Sequence, residues 1–150
     1  MRTRYLNHSV YRLQYHIVWC TKYRRPWLVK GIEKEFVRLL QITVKKYPIL
    51  QLVAANTDRD HVHIQLELPP SLTIAEIVQK LKAATSQHLR KKFRVIQEIY
   101  LGKEGIWSVG YFVSSIGLNE QQIKAYIGWQ GKREYPQTMT GTKQLKLEFS

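Results

Sequence analysis

The chain contains a single cysteine, Cys20, and only 11 acidic residues among its 150. One cysteine excludes an internal disulfide framework and a zinc site built from several cysteines. This composition is typical of a reducing compartment, and we expect a cytoplasmic protein. No stretch is long and apolar enough for a membrane helix. Residues 1–10 carry Arg2 and Arg4 without an apolar run behind them, so we expect no signal peptide.

Positive charge is what the sequence has in excess. Lys and Arg number 24, which gives a formal net charge of +13. A net charge of about 2–8 is enough for solubility, so the excess favours a polyanionic partner such as nucleic acid. A merely solvated basic surface is the alternative. A membrane-surface protein is disfavoured because the charges are spread along the chain and not gathered on one amphipathic helix.

The hydrophobic pattern predicts one domain, residues 1–150, in which short strands and long helices alternate. The predicted strands span residues 11–20, 49–57, 61–68 and 109–115, and the predicted helices span residues 32–47, 73–93 and 119–133. Residues 144–149 alternate as a short extra strand would. This order predicts an α+β fold, with a ferredoxin-like or RRM-like antiparallel sheet covered by helices on one face, plus a C-terminal helix.

Two histidines, His61 and His63, lie on one face of the strand at residues 61–68. Strand residues two apart are roughly 6.6–6.8 Å apart, which lets two imidazoles converge on one metal ion. Glu67 lies too far along the strand to join them, so a third ligand must come from elsewhere. The alternative is an open sheet face with two incidental histidines. His16 and His88 are weaker candidates.

Asp58 and Asp60 lie between the second and third predicted strands. The simplest interpretation makes them turn residues. The alternative is that one of them orients a histidine through a hydrogen bond.

The last predicted helix carries Tyr126 and Gln130, which are four residues apart and share a face. From this helix alone, the simplest interpretation is that Tyr126 packs in the apolar stripe with Ile123 and Ile127. Gly128 lies in the helix interior, where a glycine costs about 1 kcal/mol relative to alanine. The segment is therefore either a hinge or a loosely specified helix.

Together, four segments resemble the single-tyrosine HUH transposases, which serve small insertion sequences that move as single-stranded DNA and are related to REP-associated tyrosine transposases. The similarity covers roughly residues 15–130. Several matches in the right order make it specific, whereas a lone His-x-His pair would not. The matching segments are YHIVWCTKYRR at 15–25, DHVH at 60–63 with Pro69 and Pro70 behind it, Trp107 with residues 110–117, and YIGWQ at 126–130.

The resemblance implies that Tyr126 attacks the scissile phosphate, forms a 5′-phosphotyrosine link and releases a 3′-hydroxyl. It implies that His61, His63 and Gln130 hold a divalent metal, Mg or Mn, which polarises the phosphate. It also implies a homodimer with composite active sites, single-stranded DNA with subterminal hairpins as partner, and association with the nucleoid when bound. Whether Tyr126 acts within its own subunit or across the dimer stays open.

Basic side chains near these segments are candidate phosphate contacts. They are Lys22, Arg24, Arg25, Lys80, Lys82, Arg90, Lys91 and Lys92.

Two other functions stay open. One is a non-catalytic or domesticated nucleic-acid-binding protein of the same fold, which binds by stacking. The other is a relaxase-like or replication-initiator HUH nuclease, which the small size and single tyrosine helix disfavour. Gly128 departs from the family pattern, in which we expect a polar residue more often at that position.

Overall fold

Four antiparallel strands form the sheet in a computed structural model that describes residues 13–102, 104–115 and 120–134. The α+β class predicted from the sequence is confirmed. The predicted strand at 144–149 and the predicted helix cap Asn119 lie outside the described residues. In chain order the elements are β1 (Leu13–Cys20), a 3-10 turn (Lys22–Arg24), α1 (Ile32–Lys45), β2 (Gln51–Thr57), β3 (His61–Leu68), α2 (Ile74–Lys92), α3 (Arg94–Ile99), β4 (Phe112–Ser114) and α4 (Glu120–Glu134).

The strands lie in the order β2-β3-β1-β4, which is the ferredoxin-like arrangement. The two central strands, β1 and β3, pair along their whole lengths, with Leu13 opposite Leu68 and Cys20 opposite His61. The short β4 pairs with β1 through Phe112, Val113 and Ser114. The strand that carries the predicted metal ligands is therefore held from both sides, by β1 and by β2.

The main core lies between one face of the sheet, which we call the helix face, and helices α1 and α2. Strand residues alternate as predicted, so Ile17, Trp19 and Ile64 point into this core and are fully buried. Thr73 caps α2 by accepting a hydrogen bond from the Glu76 amide at 3.3 Å. Both helices bury a stripe of side chains against this core, namely Phe36, Leu39, Leu40, Val44, Ile77, Leu81, Thr85 and Leu89.

Two details differ from the sequence prediction. The chain leaves helical geometry at Phe93 (φ −114°, ψ 113°) and then forms α3, which was not predicted. The strand predicted at 109–115 is only Phe112–Ser114. Gly110 has a φ of +94°, which a strand residue does not adopt, so the chain enters the sheet only after it. None of the described helices has the length and apolar character needed to cross a membrane.

Candidate functional site

The second face of the sheet, which we call the histidine face, carries His61 and His63. Across the β1–β3 pair, His61 lies opposite Cys20 and His63 lies opposite Val18. Directly opposed residues project to the same face of a sheet. Val18 and Cys20 pack in a small apolar cluster with Tyr126 of α4. Helix α4 therefore lies over the same face as the two histidines, within one chain.

Tyr126 is buried beneath α4, with 2% of its surface exposed. Its ring stacks on Phe112 of β4, with centroids 6.0 Å apart and an interplanar angle of 27°. Trp129 lies on its other side, at a centroid distance of 6.3 Å. The tyrosine thus has the packing role expected from its helix alone. Its hydroxyl oxygen has almost no accessible surface in this arrangement.

Gln130, one helical turn beyond Tyr126, is also buried, and its Nε2 donates a hydrogen bond of 3.0 Å to the carbonyl of Val109. The carbonyls on either side of Val109 bind Lys82 of α2. Its Nζ donates to Ser108 at 2.8 Å and to Gly110 at 2.7 Å. The loop before β4 is therefore held by α2 and in turn holds α4.

Asp60 fixes the orientation of His61. Its Oδ1 lies 2.9 Å from His61 Nδ1, and its Oδ2 lies 3.1 Å from Nη2 of Arg24. Burial raises the pKa of the Asp60 carboxyl, but the His61 hydrogen bond and the Arg24 guanidinium outweigh it, and the net shift is downward. An ionised carboxylate only accepts, so Nδ1 of His61 donates this hydrogen bond and Nε2 is the ring nitrogen that stays available to another ligand. The orienting role that the sequence left as an alternative is the one observed.

His63 faces a third histidine, His16 of β1. His16 Nδ1 lies 3.4 Å from His63 Nε2, and the two rings are 5.6 Å apart. Burial lowers the pKa of both imidazoles, and for His63 the neighbouring His16 and His61 lower it further. Both shifts favour the neutral ring, which is the form that binds metals. Sequence reasoning set His16 aside, because the register that places it beside His63 is not visible in one strand.

The residues present fit a divalent cation in their donor chemistry. Neutral imidazole nitrogens and an amide oxygen suit manganese, cobalt or zinc, and magnesium less well. Among the residues described, no three His, Cys, Asp or Glu side chains are grouped closely enough to hold an ion. The position of Gln130 on the helix over this face leaves it as a candidate for completing a site with His61 and His63.

Three of the basic residues predicted to contact phosphate make ion pairs. Lys22 lies 3.7 Å from Glu104, and Lys92 lies 3.3 Å from Glu35. Arg24 is paired with Asp60, as above. Such partly exposed pairs are worth about 1 kcal/mol or less, so a phosphate can replace the carboxylate at little cost.

The other predicted contacts differ in their surroundings. Arg25, Lys80 and Lys91 are exposed. Arg90 donates to the carbonyl of Tyr100 at 2.7 Å. Lys82 donates to the loop carbonyls, and burial lowers its pKa to about 8. The role of all eight residues in DNA binding stays a prediction.

The sequence matches a family model over most of its length. The model, described as IS200-like transposase, matches residues 9–130. The transposase for insertion sequence element IS200 of Salmonella typhimurium is 30% identical over 125 residues, which is 83% of this chain and 81% of that protein. The ISDra2 transposase TnpA of Deinococcus radiodurans is 29% identical over 126 residues, covering 83% of this chain and 89% of the relative.

Solved structures agree with the fold. A crystal structure described as a transposase from Deinococcus radiodurans R1 superposes with a TM-score of 0.74 at 29% identity, covering 85% of this chain and 97% of that one. A REP-associated tyrosine transposase bound to a REP hairpin gives a TM-score of 0.52 at 12% identity, over 91% of this chain and 74% of that one. At 12% identity, the second match supports the fold and nothing further.

Proposed function

Because this chain belongs to the IS200-like transposase family, we propose that it cleaves and rejoins single-stranded DNA at insertion-sequence ends, with Tyr126 as the nucleophile. One observation carries the proposal. Helix α4 packs its buried Tyr126 on Val18 and Cys20, the residues directly opposite His63 and His61. A nucleophile and a pair of metal-binding side chains on one sheet face are what a phosphoryl transfer of this type requires.

In the first step, Tyr126 Oη attacks the scissile phosphorus and its proton passes to water. The bond between phosphorus and the 3′-oxygen breaks, and that oxygen takes a proton from water and leaves as a 3′-hydroxyl. The 5′-phosphate stays on Tyr126. In the second step, the 3′-hydroxyl of another DNA end attacks the phosphotyrosine and releases the phenol. The covalent link conserves the phosphodiester energy, so joining needs no ATP.

His61, His63 and Gln130 are the residues we propose to hold Mg or Mn. A divalent ion there supplies positive charge to the non-bridging oxygens, where negative charge grows during the reaction. Asp60 and Arg24 keep Nε2 of His61 available for that ion. An amide binds metals through its oxygen, and the hydrogen bond from Gln130 Nε2 to Val109 is compatible with this role.

We propose single-stranded DNA with subterminal hairpins as the partner, and a homodimer with composite active sites. The net charge of +13 supports a polyanionic ligand. The small contact between α4 and its own sheet supports a dimer in which the two helices are exchanged, since the same contacts then form across subunits.

The test is covalent capture of DNA. The purified protein is incubated with Mn²⁺ and overlapping single-stranded oligonucleotides that cover the DNA flanking its gene. We expect a protein–DNA adduct that survives denaturing electrophoresis. Tyr126→Phe should lower adduct formation by about 10³-fold or more. Tyr47→Phe, a half-buried tyrosine at the end of α1, is the matched control and should match the wild type.

Metal dependence is tested in the same assay. EDTA and His61→Ala should each suppress cleavage. A Tyr126→Phe protein that cleaves as fast as the wild type would refute the nucleophile assignment. Hairpin binding that EDTA and His61→Ala leave unchanged, without any adduct, would instead identify a non-catalytic DNA-binding protein of the same fold.

A further inference from the structure

We propose that His16 is a further metal ligand on the histidine face, and that its Nδ1 binds the same ion as Nε2 of His63. This inference rests on the metal role of His63 proposed above and adds a residue from a different strand. It makes the ion a link between the two central strands of the sheet.

The distance between the two nitrogens is the first argument. Two ligands of a tetrahedral ion with metal–nitrogen bonds of about 2.0–2.1 Å lie about 3.3–3.4 Å apart. His16 Nδ1 and His63 Nε2 are 3.4 Å apart. Protein hydrogen bonds from nitrogen have a typical donor–acceptor distance of about 2.9–3.0 Å, so this pair is long for a hydrogen bond. The spacing is that of two ligands of one ion.

The sheet register is the second argument. His16 lies opposite Gln65 on β3, which makes His63 its diagonal neighbour on the same face. On its other side, His16 lies opposite Ser114 of β4. The His16 backbone is thus fixed by hydrogen-bonded strands on both sides. Because the pair is built on regular strands, it is preorganised and binding needs no rearrangement of the backbone.

Adding His16 to the proposed ligands also changes which metal ions the site is expected to prefer. Together with His61, His63 and Gln130, His16 would bring the number of imidazoles in the proposed site to three and the number of protein ligands to four. Imidazole-rich sites favour transition metals over magnesium. We therefore expect Mn²⁺, Co²⁺ or Zn²⁺ to bind more tightly than Mg²⁺.

The experiment is a titration of the apo-protein with Co²⁺, whose visible absorption reports its coordination geometry. The wild type should bind one ion with the strong visible band of a four-coordinate site. His16→Ala should bind it at least tenfold more weakly, and the band should weaken and shift because an imidazole has been lost. His88→Ala is the matched control, since His88 is an exposed histidine on α2, and it should match the wild type.

Two outcomes overturn the proposal. Unchanged affinity and spectrum in His16→Ala exclude a ligand role. Weaker binding with an unchanged spectrum makes His16 a positioning residue instead. His16→Gln serves the same test if the alanine variant does not fold.

The same titration distinguishes a failure of the metal role proposed for His63 from a failure of the inference about His16 alone. If the wild type binds no Co²⁺, or if His63→Ala binds it as well as the wild type does, the assignment of His63 fails and the inference falls with it. If His63→Ala alone loses the ion, the inference about His16 fails and the proposed function stands.

Discussion

The two faces of the central strands differ in what covers them. On the helix face, Ile17, Trp19 and Ile64 are completely buried beneath two long helices. On the histidine face, His16 and His63 keep part of their surface exposed, and one helix covers the neighbouring side chains. Each central strand therefore contributes to both faces. Every second side chain packs in the core, and the side chains between them lie on the histidine face.

The two faces therefore contribute unequally to the free energy of unfolding. Burial of a large apolar side chain stabilises the fold by about 1.5–3 kcal/mol. The helix-face cluster draws such side chains from both long helices and from β1 and β3. Among the described residues, the buried members of the histidine-face cluster are Val18, Cys20, Phe112, Tyr126 and Ile127. Helix α4 thus has fewer buried apolar contacts than α1 or α2, which suits the movement that the proposed attack by Tyr126 would require.

Neighbouring residues on β3 give the sharpest test of this difference. Ile64→Ala removes a fully buried side chain from the helix face and should lower the free energy of unfolding by about 2–5 kcal/mol. His63→Ala, on the other face, should cost about 1 kcal/mol or less and abolish metal-dependent cleavage. Urea denaturation followed by circular dichroism measures both. Equal destabilisation by the two substitutions would show that the histidine face also carries the fold.

The pattern within β3 could be predicted from the sequence, because strict alternation of apolar and polar residues assigns each side chain to a face. Ile17 and Trp19 of β1 follow the same alternation and lie in the core. Helix α3 was missed because it spans only the six residues Arg94–Ile99. A helix of this length is too short for its apolar periodicity to be recognised in the sequence.

The candidate site was less predictable, because it depends on contacts between distant segments. Nothing local to residues 13–20 indicates that His16 lies beside His63, since strand register is set by the whole sheet. Lys82 was predicted to contact phosphate, yet it donates to two loop carbonyls more than 25 residues further along the chain. One of the two acceptors, Gly110, lies in the segment 109–115 that the sequence had assigned to a strand.

Lys82 tests whether the histidine face depends on the loop before β4. Lys82→Met removes both donors and leaves the carbonyls of Ser108 and Gly110 without them, so we expect a loss of about 1–3 kcal/mol in the free energy of unfolding. Lys80→Met, an exposed lysine on the same helix, is the control and should have little effect. If Lys82→Met lowers the free energy of unfolding no more than Lys80→Met does, the loop is held by contacts other than those of Lys82.

The pH dependence of this effect has a defined sign. Burial lowers the pKa of Lys82 from 10.5 to about 8, so the unfolded chain binds more protons than the native state between these values. Stability contributed by Lys82 therefore rises as the pH increases from 8 towards 10.5. The difference in unfolding free energy between the wild type and Lys82→Met should widen over this interval. A constant difference would contradict the buried position of the amine.

Asp60 tests whether the polar residues of the histidine face are oriented for binding. Asp60→Ala frees the His61 ring, and we expect the affinity for Co²⁺ to fall roughly tenfold, as is typical when the partner of a metal-binding histidine is lost. Asp58→Ala is the matched control, because Asp58 belongs to the same turn and its carboxylate accepts only from the amide of Arg59 in the contacts observed. Equal losses in both variants would assign the effect to the turn and not to His61.

Gly128 tests the weak attachment of α4, with the smallest expected effect. Apart from the adjoining residues and the backbone of its own helix, a Cβ at this position meets no atom within 4 Å, so Gly128→Ala introduces no clash. Alanine in a helix interior is favoured over glycine by about 0.5–1 kcal/mol, and the amides of α4 should exchange more slowly with deuterium by the corresponding factor of about 2–5. Ala125→Gly, in the same helix, should shift exchange in the opposite direction. If neither substitution changes α4 exchange, the helix opens by undocking as an intact unit, and the mobility needed to expose Tyr126 resides in its contact with the sheet.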